Sequence, residues 1–223
     1  GPSLTIMQAP LVMNGLVIEL NIHDPSSLEQ LSEKGWMSDG VATYLAKAVA
    51  ECRNIVVAGP RGSGVTEMMS ALTRELPETE NTVAIESVPE LDIDRDRVIS
   101  LIAADSGIPL SAAIGHGARL HSEHLVINDL SGPDTATALT AVLGREPGHL
   151  LGIHCWSTKD ALEGVMLAAG STGADRSYVA QLLANAVDIV VSMRRGPDGQ
   201  QVSAVLEIQG HEAGDVSYQS VPF

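Results

Sequence analysis

The residues best suited to chemistry in this 223-residue chain lie in one short run, Gly59-Pro60-Arg61-Gly62-Ser63-Gly64-Val65-Thr66. The template GxxxxGK[ST] wraps backbone N–H groups around phosphate, sends a lysine to the terminal phosphates and offers a hydroxyl to Mg²⁺. This run keeps Gly59, Gly64 and Thr66 but has Val65 where the lysine stands. Its amides and the start of the following helix can still cradle phosphate, because they need no side chain to do so. Arg61 lies inside the loop, separated from position 65 by Gly62, Ser63 and Gly64. A glycine-rich turn without a ligand is the competing reading.

Other candidates fall to their spacing. Asp92, Asp94 and Asp96 alternate like the opening of a calcium loop, yet Arg97 and Ala103 occupy the positions that need Gly and Glu. His116, His121 and His124 cluster without the HExxH spacing and without a cysteine, which argues against zinc. His154 and Cys155 are adjacent, and on a strand that sends them to opposite faces, against a Cys/His nucleophile pair. Trp36 and Trp156 read as packing or subunit-contact residues.

The elements around the loop suit a phosphate site. Asn54–Ala58 is a continuous apolar run of strand length, and beyond the loop Met68, Met69 and Leu72 recur at helical spacing. Upstream, Leu11–Ile22 reads as a lead-in strand, Ser26-Ser27 caps a short helix and Ser38-Asp39 a longer one. Downstream, strands at 82–85, 98–103, 125–127 and 150–153 alternate with helices at 111–120, 135–143, 159–168 and 178–186. Strands at 189–193, 202–208 and 216–221 follow, the first two joined by the turn Gly196-Pro197-Asp198-Gly199. This order predicts an α/β fold with a mostly parallel sheet, flanking helices and a C-terminal β-meander.

Composition narrows the function classes. With 28 acidic against 13 basic residues the formal charge is −15, which repels nucleic acid and anionic membrane surfaces. One Phe, three Tyr and two Trp supply little for base stacking. Two separated cysteines, Cys52 and Cys155, suit a reducing compartment. No apolar stretch approaches the roughly 20 residues of a spanning helix, and Gly1-Pro2-Ser3 reads as a tag remnant.

Taken together, RNIVVAGPRGSGVTEMMSALTRELPETENTVAIESVPEL resembles the ATPase domain of the type II/type IV secretion traffic ATPases, with a degenerate Walker A motif. The likeness continues through EHLVINDLSG, GIHCWSTKDALEGV and VAQLLANAVDIVVSMRR with VLEIQGHEAGDV, and this last segment together with the lead-in LVIELNIHDPSSLEQLSEKGWMSDGVATYLAKAVAECRN is most similar to the CpaF-type ATPases of Tad pili. It implies a RecA-like P-loop NTPase core over 53–223, with 4–52 as a linker from an N-terminal domain. It implies ATP or ADP at Gly59, Arg61, Gly62, Ser63, Gly64, Val65 and Thr66, and Mg²⁺ ordered by Thr66, Glu86 and Glu90. Asp129 matches the Walker B glutamate one methylene short, His154 matches the family histidine, and Ser131 stands where an arginine is usual. Glu19 and Leu20 replace an arginine pair, Ser111 and Gly115 take positions that are often arginine, and Arg119 alone remains of that basic pattern.

Phosphoryl transfer depends on positioning and on cations at the γ-phosphate. The resemblance with these losses implies a pseudo-ATPase with vestigial catalytic residues Glu86, Glu90, Asp129 and His154, and with nucleotide binding weak or lost. Such a chain is expected to be a structural or regulatory subunit of pilus or secretion machinery. It would sit on the cytoplasmic side of the inner membrane, in a hexameric ring of its own copies or with a catalytic paralogue. The alternative is an active, atypical motor whose cations arrive in trans, from a neighbouring subunit or from Arg61.

Overall fold

A computed structural model of the chain describes residues 3–7, 17–21, 26–155 and 161–222. Trp156 and the expected start of a helix at Lys159 lie outside these residues. Strands β1 (Ser3–Met7) and β2 (Val17–Asn21) pair antiparallel as a separate ribbon. The lead-in strand read over 11–22 is thus described only at its end, and β1 was not anticipated.

Helix α1 (Leu28–Glu33) starts with a full capping box, in which Ser27 Oγ accepts from the Gln30 N–H and the Gln30 side chain accepts from the Ser27 N–H. Ser38 caps α2 (Asp39–Ala50) through the Val41 N–H. The chain then alternates as its apolar runs predict: β3 (Ile55–Gly59), α3 (Val65–Arg74), β4 (Thr82–Glu86), β5 (Val98–Ile102) and the single turn α4 (Ala103–Ser106). There follow α5 (Leu110–Gly117), β6 (His124–Leu130), α6 (Pro133–Val142), β7 (Leu150–His154), α7 (Ala161–Gly170) and α8 (Arg176–Ala186). The chain closes with β8 (Ile189–Gly196), β9 (Gly199–Glu212) and β10 (Asp215–Ser220).

These last eight strands form one sheet in the order β10-β9-β8-β3-β7-β6-β4-β5. From β8 to β5 every pairing is parallel, whereas β8-β9-β10 is the antiparallel meander. Alternate residues of β3 divide the core. Val56 and Ala58 face a cluster with α5, α6, α7 and α8, while Ile55 and Val57 face α1, α2 and α3. A parallel sheet covered on both faces explains why its central strands are unbroken apolar runs rather than alternating ones. Leu28, Leu31 and Leu45 of α1 and α2 are buried in the second cluster, so these helices share the core of the α3 layer.

A candidate phosphate site at the ends of β3, β7 and β6

The glycine loop leaves the carboxyl end of β3, and β7 and β6 end beside it, the location where open α/β sheets place their ligands. A cavity of about 510 Å³ opens there, lined by Pro60, Arg61, Ser131, His154 and Cys155. His154 and Cys155 both line it, yet Cys155 joins Leu151 and Ile153 in the first core cluster while His154 does not, the alternation expected of adjacent residues at a strand end. The assigned strand ends at His154, and the Cys155 backbone N–H donates to the Gly59 carbonyl at 3.0 Å, one rung beyond it.

Gly64 caps α3 with φ +93°, a left-handed conformation that glycine adopts without a Cβ penalty. A Cβ there would also lie 2.4 Å from the Trp36 ring, so the indole packs directly on the loop. Sequence spacing reads Trp36 as a packing or subunit-contact residue; that its partner is the loop depends on contact across 28 residues of chain. Ser63 Oγ is fully buried in the loop with no hydrogen-bond partner among the described residues. Val65, the first residue of α3, is 2% exposed and belongs to the apolar cluster of Val57, Met68, Met69 and Met193. The lysine position of the template is therefore part of the core.

Asp129 has φ +60° at an irregularity in the β6–β7 pairing between Ile127 and Leu130. A non-glycine residue in this region is held there by its surroundings, and Asp is among the few that tolerate it. Arg61 Nη2 donates to Asp129 Oδ1 at 3.1 Å, and His154 Nε2 stands 3.6 Å from the same oxygen. Arg61 is 73% exposed, so this pair contributes at most about 1 kcal/mol. Burial, followed by the Arg61 charge, lowers the His154 pKa against the opposing pull of Asp129, which favours a neutral ring near pH 7. Its Nδ1 is buried and meets no geometric hydrogen-bond partner among the described residues.

On the other side of the loop Thr66 Oγ1 donates to Glu90 Oε2 at 3.4 Å and accepts from Asn128 Nδ2 at 3.5 Å. Glu86 is buried beneath, with Oε1 accepting the N–H groups of Leu91 at 2.8 Å and Glu90 at 3.1 Å. Burial raises the Glu86 pKa although these hydrogen bonds oppose the rise. A hydroxyl beside a carboxylate is a donor set for a hard oxygen-loving cation, and Thr66 with Glu90 fits one. Glu86 does not fit as a direct ligand, because its carboxylate is turned to backbone amides. Asn128 was absent from the sequence reading. Its amide lies so close to β7 that a Cβ on Gly152 would sit 2.4 Å from Asn128 Oδ1, a match no local pattern reveals.

The rejected candidates stay apart. His116 pairs with Arg119, while His124 contacts Glu80 and the Gly148 carbonyl. Among the described residues no three His, Cys, Asp or Glu side chains gather as a metal site. The Asp92 loop is tied down by Arg74 and by Ser70. The side chains of Glu19 and Leu20 lie outside the described residues. Among those residues no helix is long and apolar enough to cross a membrane.

Comparison with known proteins agrees with this geometry. The conjugal transfer protein TrbB of Rhizobium radiobacter is 24% identical over 178 residues, covering 78% of this chain and 54% of TrbB. The solved structure of the VirB11 ATPase from the Brucella suis type IV secretion system, in complex with sulphate, is 26% identical with a TM-score of 0.68, covering 81% of this chain and 54% of that one. The pilus retraction motor PilT with bound ADP shares the fold, at 15% identity and a TM-score of 0.60, over 96% of this chain and 65% of its own. The chain spans about half the length of the curated relatives it matches. Residues 3–205 match the family described as Type II/IV secretion system protein, and with its sheet order and glycine loop the chain belongs to that family.

Proposed function

We propose that this chain is a motor-type domain that hydrolyses ATP at or near background, and that it serves pilus or secretion machinery as a structural or regulatory subunit. The single observation that carries this reading is Val65, an aliphatic side chain 2% exposed in the apolar core at the position of the template lysine. Removal of one preorganised transition-state donor commonly costs about 10²–10³ in rate. The shortened Asp129 adds to the loss, since its carboxylate is held by Arg61. The same pairing engages the loop arginine that would otherwise be the nearest substitute for the lysine.

The backbone cradle supports retained binding of a nucleotide diphosphate. Thr66 and Glu90 would hold Mg²⁺, whose charge would offset that of the phosphates. Partners are proposed by analogy with VirB11 and TrbB: secretion-system proteins, in a hexameric ring of like subunits or with a catalytic paralogue, on the cytoplasmic side of the inner membrane. The lead-in segment supports a finer assignment to Tad pili of the CpaF type. A phosphate-release assay on purified protein with Mg-ATP tests the reading. Release indistinguishable from the protein-free blank is expected, and turnover matching a relative that carries the lysine overturns it.

A further inference from the structure

We infer that Arg195, at the end of β8, supplies the phosphate loop with the cation it lacks at position 65, and that this residue with the loop amides forms the subsite for a nucleotide's diphosphate. The inference rests on the reading of the loop as a retained cradle and adds the residue that grips its ligand.

Strand β8 pairs with β3 only as far as Ala58↔Ser192, then runs on to Gly196, so its last residues flank the loop rather than the strand. Side chains alternate along β8, and Val191 and Met193 lie in the apolar cluster that holds Val65. Arg195 is next on that face and therefore emerges on the Val65 side, at the level of the loop. Its Nη1 stands 3.9 Å from the point a Cβ on Gly62 would occupy. Gln200, directly across the hairpin from Arg195, reaches to 3.3 Å from the corresponding point on Gly64. The β8–β9 hairpin thus overhangs the loop, with a guanidinium over Gly62 and the Gln200 Cγ methylene over Gly64.

The charge of Arg195 is not spent elsewhere. Arg61 is bound to Asp129, Arg194 to Gln201, Arg74 to Asp92 and Arg176 to Glu163 and Asp215, whereas Arg195 has no partner among the described residues. In a chain of net charge −15, an exposed, unpaired arginine against a glycine loop is a place where an anion gains attraction that the rest of the surface denies it. A second, independent sign lies within the loop, where the wholly buried Ser63 hydroxyl has no partner among the described residues. Buried polar groups are normally satisfied, and one left open inside a loop of backbone donors is matched by a ligand with several acceptor oxygens.

The test is calorimetric titration with ADP and with pyrophosphate, both with EDTA, so that no metal contributes. The wild type is expected to bind both, and Arg195→Ala to weaken both about tenfold or more, the loss of a charge-assisted contact. Arg195→Lys should stay within about threefold of wild type, since the positive charge is kept. Arg194→Ala, on the opposite face, matches the charge change and should leave affinity unchanged. Circular dichroism confirms that each variant folds, and Arg195→Gln replaces any that does not. Equal affinities for Arg195→Ala and Arg194→Ala, or no ADP binding by wild type at 10 mM, overturn the inference. Neither result bears on turnover, so the proposal of a noncatalytic subunit stands or falls separately, in the phosphate-release assay.

Discussion

Replacing Val65 with lysine tests whether the vacant cation position has become part of the core. The valine is 2% exposed among Val57, Met68, Met69 and Met193. Its burial is worth about 1.5–3 kcal/mol, which Val65→Lys forfeits in large part. Forcing a longer side chain, with one more carbon and an ammonium, into the same space adds about 1–3 kcal/mol of overpacking. The flexible stem can carry its charge toward the loop, so the full cost of a buried ion does not arise. A net loss of about 3–5 kcal/mol follows from these terms. At about 2–4 °C per kcal/mol for a chain of this length, Tm should fall by about 6–20 °C.

Thermal melts by circular dichroism read this directly, with Val65→Met as an apolar control that should lose far less. Ligand then changes the comparison, because an ammonium that has reached the loop can bind phosphate. Both forms gain by mass action, so ADP should narrow the gap in Tm by the difference in their affinities, about 1.4 kcal/mol for each tenfold by which Val65→Lys binds more tightly. If Val65→Lys without ligand melts with the wild type, the side chain is not packed as described and the central observation behind the noncatalytic reading is lost.

Gly152→Ala should destabilise the fold by about 2–4 kcal/mol in urea titration, since its Cβ would lie 2.4 Å from Asn128 Oδ1 and 3.0 Å from Met69 Cγ. Adding Asn128→Ala should restore part of the loss, and strict additivity would show that the two residues do not share one space. His149 is held neutral by burial with its pKa lowered from 6.5 to about 4, so the unfolded chain takes up a proton before the folded one does. Stability should therefore be fully present above pH 6.5 and fall by about 3 kcal/mol as pH drops to 4. His149→Asn should flatten that slope in acid titrations followed by circular dichroism, and an unchanged slope refutes the assignment. Arg61→Ala removes a charge that lowers the His154 pKa and frees Asp129 to raise it, so the NMR titration of His154 should move upward; a midpoint that stays put would mean Arg61 does not face the ring in solution.

The sheet was legible because its central strands are buried on both faces. Asn54–Ala58, Leu125–Ile127 and Leu150–Ile153 read as apolar runs, and the turn Gly196–Gly199 joins β8 to β9 at the expected place. The glycine loop was legible for the same reason, as a break between two strongly patterned elements. What escaped depends on contacts between distant segments. The left-handed backbone of Asp129 follows from the β6–β7 irregularity, not from its neighbours in sequence. Asn128 against Gly152, Trp36 against Gly64 and Arg195 over Gly62 are all pairings that only the assembled sheet creates. Even the Arg61–Asp129 ion pair, both of whose members were named as site residues, had no sequence signal joining them.

These pairings change what the retained motif means. Gly64 is required by the Trp36 ring, and a Cβ on Gly59 would lie 2.5 Å from Ser63 Oγ and 2.6 Å from the Met193 carbonyl. Packing alone therefore demands both outer glycines of the template, and their presence says nothing about a ligand. Val65 likewise serves the core, so three of the four template positions are explained without any phosphate. Arg195 is different. It is exposed, and among the described residues it balances no acid and caps no helix, yet it stands over the loop where phosphate would lie. A side chain that folding does not need is where a binding function becomes visible, and in this chain that side chain comes from the hairpin rather than from the motif.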